Sequence, residues 1–374
     1  MGQPATRPRV VLHLVASPFV GGPERQMLGL AVAQGGVERT LFLGFPEGKA
    51  LDERVRAAGF ESHLLASTGR PLRGAVREVE DFLRRIHPDV LVTHGYKPDL
   101  VGLLAARRAG VPLLAVSHGW TGATFRVRLN EALDKLVLRG ARRVVAVSHR
   151  QGQRVKDAGI RGDRVVVIQN AVDASRFAPA EDAARRELEA FFPSRPDRIV
   201  IAAGRLSPEK GFEDLVAGAR MVVDRLPGAA FLLVGDGPLR ERLAAAVRAA
   251  GLEGNFALAG FRGDLDRLLP AADLFVQSSH TEGLPNVVLE AGACAVPMVA
   301  TDVGGTGEVL EDGRGGFLVP PGDPARLAAR VVEVLSDPEG ARRMGEEARR
   351  RIRSDFTFAS KAAAYRRMYE ECLP

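Results

Sequence analysis

The stretch RIVIAAGRLSPEKG, residues 198–211, joins an apolar run to a glycine and then to a charged loop. The apolar run is typical of a β-strand that is buried on both faces. Pro208 and Glu209 favour the first turn of a helix directly after it. A strand that leads into a helix is the repeating unit of a parallel α/β sheet, and the rest of the chain repeats this unit.

Strand-like apolar runs recur before and after residues 173–197, with amphipathic segments between most of them. In the first part of the chain they are VVLHLV (10–15), TLFLGF (40–45), DVLVTH (89–94), PLLAVSH (112–118), RVVAVS (143–148) and RVVVIQ (164–169). In the second part they are RIVIAAG (198–204), AFLLVG (230–235), FALAG (256–260), LFVQSS (274–279) and PMVAT (297–301). This pattern predicts an α/β protein with two doubly wound, Rossmann-like domains.

The length of 374 residues exceeds what one hydrophobic core usually organises. We predict an N-terminal domain over residues 1–172 and a C-terminal domain over 198–356. Prolines and a charged middle make residues 173–197 a predicted linker. Residues 357–374 are predicted to form a closing helix that packs back on the N-terminal domain. Because ligands of such folds bind beyond the carboxyl ends of the strands, we expect the two domains to face each other across a cleft.

The composition is that of an ordinary globular protein, with 46% hydrophobic and 26% charged residues, which excludes disordered and fibrous classes. Cys294 and Cys372 lack metal-ligand spacing and exclude a disulfide scaffold, so a reducing, cytoplasmic location is expected. The apolar stretch from Val10 to Val20 is too short to span a bilayer. The chain has no helix-turn-helix, zinc-finger or aromatic-basic signature, so no nucleic-acid partner is predicted.

Positive charge is concentrated in the first part of the chain. Residues 1–172 carry 26 basic and 15 acidic side chains, whereas residues 173–374 carry 26 and 31. This asymmetry favours an anionic partner, such as a membrane surface or a phosphorylated substrate. Residues 126–143 predict a basic helix with one apolar face, formed by Leu129, Leu133, Leu136 and Gly140. Such a helix either lies on an anionic bilayer or packs on the protein with a solvated basic face.

Two glycine loops that follow predicted strands carry candidate chemistry. Gly21 and Gly22 either approach an anion closely at a helix N-terminus or form a plain turn. In the loop that begins at Gly204, Arg205 can grip phosphate oxygens and Lys210 adds a point charge, which together would match a diphosphate. Solvated cations at a helix entry are the alternative.

A third loop, EGLPNVVLE at residues 282–290, follows the strand LFVQSS. Pro285 or Asn286 should open a helix, and the amides from Gly283 through Leu284 to Val287 would then stabilise negative charge. Glu282 and Glu290 flank this site and can accept hydrogen bonds from sugar hydroxyls. They can also be a helix-dipole partner and an ordinary helix carboxylate, or suggest glycoside hydrolysis, which needs an acid and a base across one bond.

These motifs, together with LVGDGPLR (233–240) and VGGTGEVLEDGRGGFLVPPGDP (303–324), resemble the family 4 retaining glycosyltransferases of GT-B fold over nearly the whole chain. The resemblance implies that Arg205 and Lys210 bind the diphosphate, that Glu290 binds the ribose and that Glu282 meets the donor sugar. The following residues would line the donor site: Gly21, Gly22, Gly204, Gly283, Leu284, Pro285, Asn286 and Val287. His118 matches a histidine that contacts the donor sugar in many members, with a capping imidazole as the alternative.

The activity implied by the resemblance is sugar transfer from a nucleotide-diphosphate donor to a glycan, lipid-linked or small-molecule acceptor. The family is expected to retain the sugar's configuration by front-face attack, without a metal or cofactor, with the leaving phosphate helping to deprotonate the acceptor. His118 and Glu282 would then be positioning groups, and the N-terminal domain would be the acceptor side. Synthesis of bacterial surface polysaccharide or glycolipid at the inner face of the cell membrane is the expected setting.

Three other functions are compatible with parts of the pattern. A nucleotide-sugar epimerase or hydrolase would share the architecture. A nicotinamide oxidoreductase is disfavoured because Arg240 stands where the last glycine of G-x-G-x-x-G belongs. A non-catalytic glycan-binding protein would not need the complete donor-site set. Asp264 and Asp266 form a literal D-x-D, which is predicted to open a helix rather than to clamp a metal.

Overall fold

The computed structural model describes residues 7–69, 71–121, 125–177 and 181–372. The chain divides into two compact units, each with its own sheet. The first unit combines the residues up to Asn170 with those from Phe358 onward, and the second unit is Ala171–Thr357.

The first unit contains a seven-stranded sheet in the order β3-β2-β1-β4-β5-β6-β7, in which every pair of neighbours is parallel. Its strands are β1 (Arg9–Val15), β2 (Glu38–Gly44), β3 (Glu61–Leu64), β4 (Val90–His94), β5 (Leu113–Ser117), β6 (Arg143–Ala146) and β7 (Val165–Val167). Its helices are α1 (Gly22–Gln34), α2 (Lys49–Ala57), α3 (Leu72–Ile86), α4 (Tyr96–Ala109), α5 (Phe125–Leu138), α6 (His149–Asp157) and α15 (Phe358–Cys372).

The second unit repeats the plan with a six-stranded parallel sheet in the order β10-β9-β8-β11-β12-β13. Its strands are β8 (Arg198–Ala203), β9 (Ala229–Val234), β10 (Phe256–Gly260), β11 (Leu274–Gln277), β12 (Met298–Thr301) and β13 (Phe317–Val319). Its helices are α7 (Asp182–Glu189), α8 (Phe212–Val223), α9 (Arg240–Ala249), α10 (Leu265–Leu268), α11 (Asn286–Ala293), α12 (Thr306–Leu310), α13 (Pro324–Ser336) and α14 (Pro338–Asp355).

Both sheets therefore have the strand order of a Rossmann-like fold, which confirms the predicted fold class. Apolar side chains on successive residues of a strand point to opposite faces, so a continuous apolar run suits a sheet that is covered on both sides. Leu12 and Leu14 of β1 pack in one buried cluster of the first unit, while Val15 belongs to a second cluster that includes Phe42. In the second unit, Val200 and Phe231 belong to one large buried cluster.

Two strands, β3 and β13, cannot be predicted from the sequence, for local reasons. β3 contains Glu61, Ser62 and His63, so only the edge position and the pairing with β2 make it a strand. β13 is three residues long and lies inside a glycine-rich motif, where pairing with β12 defines it. Both are short edge strands, which a search for long apolar runs does not detect.

The segment 173–197 differs from the predicted linker. It contains α7, in which Arg185 forms ion pairs within the same unit: Arg185 Nη1 lies 2.6 Å from Asp273 Oδ2. Arg176 Nη2 lies 2.8 Å from Asp266 Oδ2. These contacts and those of buried Leu188 place the segment in the second unit. Pro179, which contributed to the prediction, lies outside the described residues.

The helix α15 packs in the first unit, although it is the last element of the chain. Tyr365 and Tyr369 are both buried, and the guanidinium of Arg9 lies 5.4 Å from the centre of the Tyr369 ring. Gly29 of α1 lies against the ring of Phe358, so closely that a Cβ at position 29 would overlap the ring.

The Gly29→Ala substitution tests this packing. We expect the added methyl to displace the Phe358 ring and to lower the free energy of unfolding by about 1–3 kcal/mol, although alanine is the better helix former. Urea titration measures the change. Gly74→Ala in α3 is the matched control, because its Cβ would meet Ser67 Oγ at an ordinary 3.6 Å. An equal gain in stability for both variants would contradict the packing.

Candidate functional site

The candidate site of the second unit lies at the carboxyl ends of β8 and β11. These strands are neighbours in the sheet but are separated in the chain by β9 and β10. The chain therefore leaves the sheet in different directions on the two sides of this point, which is where ligands of doubly wound sheets bind. Arg205 and Lys210 follow β8, and Glu282 follows β11. The structure thus brings together two loops that are about 70 residues apart in sequence.

Lys210 and Glu282 are in direct contact. Lys210 Nζ donates to Glu282 Oε1 at 2.6 Å, and about a fifth of the lysine side chain and a tenth of the glutamate side chain are exposed. The same carboxylate oxygen accepts hydrogen bonds from Ser279 Oγ at 2.7 Å and from Gln277 Nε2 at 3.3 Å. The pair is held before any ligand binds, while Lys210 keeps further N–H donors for an anion.

The lysine loop is fastened to the glutamate loop through the backbone. Ser278 Oγ donates to the carbonyl oxygen of Lys210 at 3.0 Å, and the amide of His280 donates to the carbonyl oxygen of Glu209 at 2.8 Å. Gly211 has φ +60°, and a Cβ there would overlap the carbonyl oxygen of Ser278. Only glycine allows this close approach, which fixes the position of Lys210 over the end of β11.

Arg205 is exposed on the loop that begins at Gly204, and the GDG motif supports that loop from behind. The amide of Leu206 donates to the carbonyl oxygen of Asp236 at 3.0 Å. A Cβ at Gly235 would overlap the carbonyl oxygen of Gly204, and one at Gly237 would lie 2.6 Å from that of Leu206. The glycines of LVGDGPLR are therefore packing residues of the arginine loop.

The VGG motif supports the glutamate loop in the same way. The amide of Gly305 donates to the carbonyl oxygen of Gly283 at 2.7 Å, and a Cβ at Gly304 would overlap the carbonyl oxygen of Glu282. Thr301 Oγ1 donates to the carbonyl oxygen of Ser279 at 2.6 Å. The VGG motif, which enters the sequence argument only through the resemblance, thus holds the loop of Glu282 in place.

The helix α11 begins where the sequence predicts. Pro285 is its N-cap residue and Asn286 its first residue, so the loop from Gly283 to Val287 ends at a helix N-terminus. Glu290 lies one turn further along α11 and is 9% exposed. Leu284 is buried, which anchors the loop that precedes the helix. The two carboxylates thus stand at opposite ends of a single loop and helix turn.

The glycine loop of the first unit also opens a helix. Gly21 is the N-cap of α1, which begins at Gly22. Glu24 Oε2 accepts a hydrogen bond from the amide of Gly21 at 2.9 Å. This carboxylate satisfies one of the free amides at the helix start.

His118 follows β5 in the first unit and forms part of a row of three imidazoles. Its Nε2 lies 3.2 Å from Nδ1 of His94, and Nε2 of His94 lies 2.9 Å from Nδ1 of His13. Nothing in the sequence marks His13 or His94 as a site residue, because each is one histidine in a largely apolar strand. Burial, with a smaller contribution from the nearby Lys361, lowers the pKa of His13 and of His118 to about 3.

The D-x-D carboxylates are engaged in ion pairs. Asp264 Oδ2 lies 2.7 Å from Arg262 Nη2 and 2.9 Å from Arg267 Nη2, and these guanidiniums hold the pKa of Asp264 well below its usual range. Asp266 pairs with Arg176. Asp264 takes the N-cap position of α10, as predicted, although its side chain makes no capping hydrogen bond.

Two family models match the chain. Residues 20–176 match the one described as Glycosyltransferase Family 4, and residues 185–351 match the one described as Glycosyl transferases group 1. The glycogen synthase of Mycobacterium tuberculosis is 30% identical over 81% of this chain and 70% of that protein. The lipopolysaccharide core biosynthesis glycosyltransferase LpsE of Rhizobium meliloti is 29% identical over 92% of this chain and 94% of that protein.

Among solved structures, HepE of Anabaena in complex with UDP-glucose has a TM-score of 0.87 and 23% sequence identity. The similarity covers 97% of this chain and 99% of that one. At this identity the likeness shows the fold.

The row of three imidazoles predicts that the folded protein loses stability in acid. The folded state keeps His13 neutral down to about pH 3, whereas an unfolded chain protonates it below its ordinary pKa of 6.5. The free energy of unfolding should therefore fall by about 1.4 kcal/mol for each pH unit below 6.5 through this residue. Urea titrations between pH 7 and pH 5 should show a smaller decrease for His13→Phe than for the wild type.

The control for this prediction is His87→Asn, which removes an exposed ring at the C-cap of α3, where the left-handed backbone also suits asparagine. It should keep the wild-type dependence on pH. If His13→Phe lost stability in acid as steeply as the wild type, the neutral state of the buried ring would be refuted.

Proposed function

This chain belongs to the family 4, group 1 glycosyltransferases, and we propose that it transfers a sugar from a nucleotide-diphosphate donor with retention of configuration. The observation that carries the proposal is the Lys210–Glu282 pair at the switch point of the second sheet. The exposed Arg205 loop and the N-terminus of α11 flank that pair. Together these groups supply cations and amides where a diphosphate would lie, and a carboxylate for the sugar.

Departure of the nucleoside diphosphate is the step that these groups would accelerate. Negative charge grows on the leaving oxygens as the bond to the sugar breaks. Lys210, Arg205 and the amides before α11 are in place before the reaction, so they stabilise the transition state without reorganisation. The leaving phosphate then takes the proton of the acceptor hydroxyl on the same face of the sugar, which gives retention.

The carboxylates of Glu282 and Glu290 would bind hydroxyl groups of the donor and would not act as nucleophiles. Glu282 accepts three hydrogen bonds from Lys210, Ser279 and Gln277 on one oxygen, which fixes the carboxylate for sugar hydroxyls. Glu290, nearly buried in α11, would accept the ribose hydroxyls. His118 would contact the donor sugar, as the family motif implies. A nucleotide-sugar epimerase or hydrolase would be distinguished by turnover of the donor without an acceptor.

The setting that we propose is synthesis of bacterial surface polysaccharide or glycolipid, on the cytoplasmic side of the cell membrane. The lipopolysaccharide core enzyme LpsE, matched over 92% of this chain, supports this setting. The acceptor would be a glycan, a lipid-linked sugar or a small molecule. We propose no metal in the reaction, because arginines already neutralise Asp264 and Asp266. Activity should therefore survive treatment with a chelator.

Membrane contact through α5 is part of the proposal. The helix ends at Leu138, so Gly140 lies beyond it and not on the predicted apolar face. Leu129, Leu133 and Leu136 are 62%, 42% and 59% exposed, which is unusual for leucines at helical spacing. The opposite side of α5 is anchored, since Trp120 Nε1 donates to Asp134 Oδ2 at 3.0 Å.

Within the described residues, no helix is long and apolar enough to cross a membrane. The exposed leucines and the exposed Arg128 instead suit a helix that lies on an anionic bilayer.

Replacement of Lys210 tests the donor site. A thermal-shift screen first identifies which of the UDP, GDP and ADP sugars raises the melting temperature. With that donor, Lys210→Ala should lower kcat about a hundred-fold or more, because one preorganised cation is lost from the transition state. Arg220→Ala on α8, which removes a guanidinium paired with Asp224, is the control and should keep wild-type turnover. Near-normal turnover of Lys210→Ala would defeat the assigned role.

Replacement of the α5 leucines tests membrane contact. Flotation with vesicles that contain phosphatidylglycerol should recover the wild type and lose the Leu129→Ser/Leu133→Ser/Leu136→Ser variant. Vesicles of phosphatidylcholine alone should recover little of the wild type or of the variant, because they lack the anionic lipid that attracts the basic residues. The control Val32→Ser removes a comparably exposed apolar side chain from α1. Equal recovery of all proteins on both vesicles would argue against contact through α5.

A further inference from the structure

Three histidines form a diagonal row across the first sheet. His13 of β1 is in register with Val92, two residues before His94 of β4. His94 is in register with Val116, two residues before His118, which follows β5. Residues two apart on a strand point to the same face, so all three rings lie on one face of the sheet. The ring centres of neighbours are 5.2 Å and 5.5 Å apart.

The row is a continuous chain of hydrogen bonds, with 2.9 Å between His13 and His94 and 3.2 Å between His94 and His118. All three rings are neutral at pH 7, because burial lowers each pKa. A neutral imidazole carries one N–H, which is either on Nδ1 or on Nε2. The protons of the three rings are therefore not independent of one another.

Only two arrangements satisfy both hydrogen bonds. If His94 carries its proton on Nε2, it donates to His13, and His118 must donate to His94 through its own Nε2. If His94 carries its proton on Nδ1, it donates to His118 and accepts from Nδ1 of His13. In this second arrangement His118 carries its proton on Nδ1. The tautomer of His118 is thus decided by a ring two strands away.

The surroundings of His13 select the second arrangement. Its Nε2 is fully buried and has no hydrogen-bond partner among the described residues. The first arrangement would place an unsatisfied N–H there, whereas the second leaves only an unused lone pair, which costs less.

We propose that His13 and His94 are positioning residues that hold His118 in the Nδ1–H tautomer. His118 then offers a hydrogen-bond donor, not a base, at Nδ1, where no partner is found among the described residues. An oxygen of the donor sugar is the acceptor that this N–H would meet. The role in catalysis rests on the proposed function, whereas the tautomer itself does not.

Nitrogen NMR tests the tautomer directly. The protein has 7 histidines, and labelling of their rings with ¹⁵N gives shifts that distinguish a protonated nitrogen from a bare one. His118→Gln identifies the His118 signals. In the wild type at pH 7, Nδ1 of His118 should be protonated and Nε2 bare. A proton on Nε2 of His118 would overturn the proposal, whatever the activity of the protein.

Two variants test whether His13 and His94 determine the tautomer of His118. His94→Phe keeps a stacked ring but cuts both hydrogen bonds, so His118 should shift toward the Nε2–H form that an isolated side chain prefers. His13→Asn places an amide N–H where Nδ1 of His13 lies, so it should keep His118 in the Nδ1–H form. Melting curves report whether both variants fold. An unchanged His118 tautomer in folded His94→Phe would show that the row does not set it.

Kinetics separate this inference from the proposed function. With the donor found by thermal shift, kcat/KM of His94→Phe should fall on the order of ten-fold, the equivalent of one hydrogen bond. His13→Asn should stay close to the wild type, and the affinity for the bare nucleoside diphosphate should not change in either variant. Unchanged kcat/KM despite a shifted tautomer would overturn the catalytic role. Absence of transfer by the wild type would refute the proposed function, while the NMR result would still decide the tautomer.

Discussion

The contact between Lys210 and Glu282 is the interaction on which the second unit's site depends. It joins the loops that leave two adjacent strands in opposite directions, and it holds two opposite charges with little exposure to water. A partly buried ion pair is stable only when further hydrogen bonds satisfy it, and Ser279 and Gln277 provide them. A side chain at position 211 would force these two loops apart, and one at position 304 would push the loop of Glu282 away from the loop that follows β12.

Much of the fold and part of the site can be predicted from the sequence, because their signals are local. RIVIAAG and LFVQSS can be identified as strands from their own residues. The glycine and proline that follow them mark where loops and helices begin. Arg205, Lys210 and Glu282 follow these strands in the sequence, but residue type alone leaves solvated cations and a helix-dipole carboxylate as alternatives, and the family resemblance is what favours a donor site. The edge strands β3 and β13 are not, since only their pairing with a neighbour makes them strands.

The partners of the site residues could not be predicted, because they depend on register between strands. In the sequence, Ser279 and Gln277 are ordinary polar residues at the end of a strand. Only the folded loop of Glu282 makes them hydrogen-bond donors to its carboxylate. His13 and His94 each occupy one position in an apolar run, and only the diagonal alignment of β1, β4 and β5 puts them in line with His118. The leucines of α5 share one face, but the predicted fourth member, Gly140, lies beyond the helix, and periodicity cannot tell whether such a face is covered.

The location of α15 has a consequence for how the protein is made. A ribosome completes the strands of the first unit early, but the helix that covers Gly29 and buries Tyr369 emerges only after the entire second unit. The unit synthesised first is therefore the one finished last, and its α1 face stays exposed during translation. A premature stop codon that removes α15 would leave the second unit complete, but the first unit would lack a helix that packs on α1.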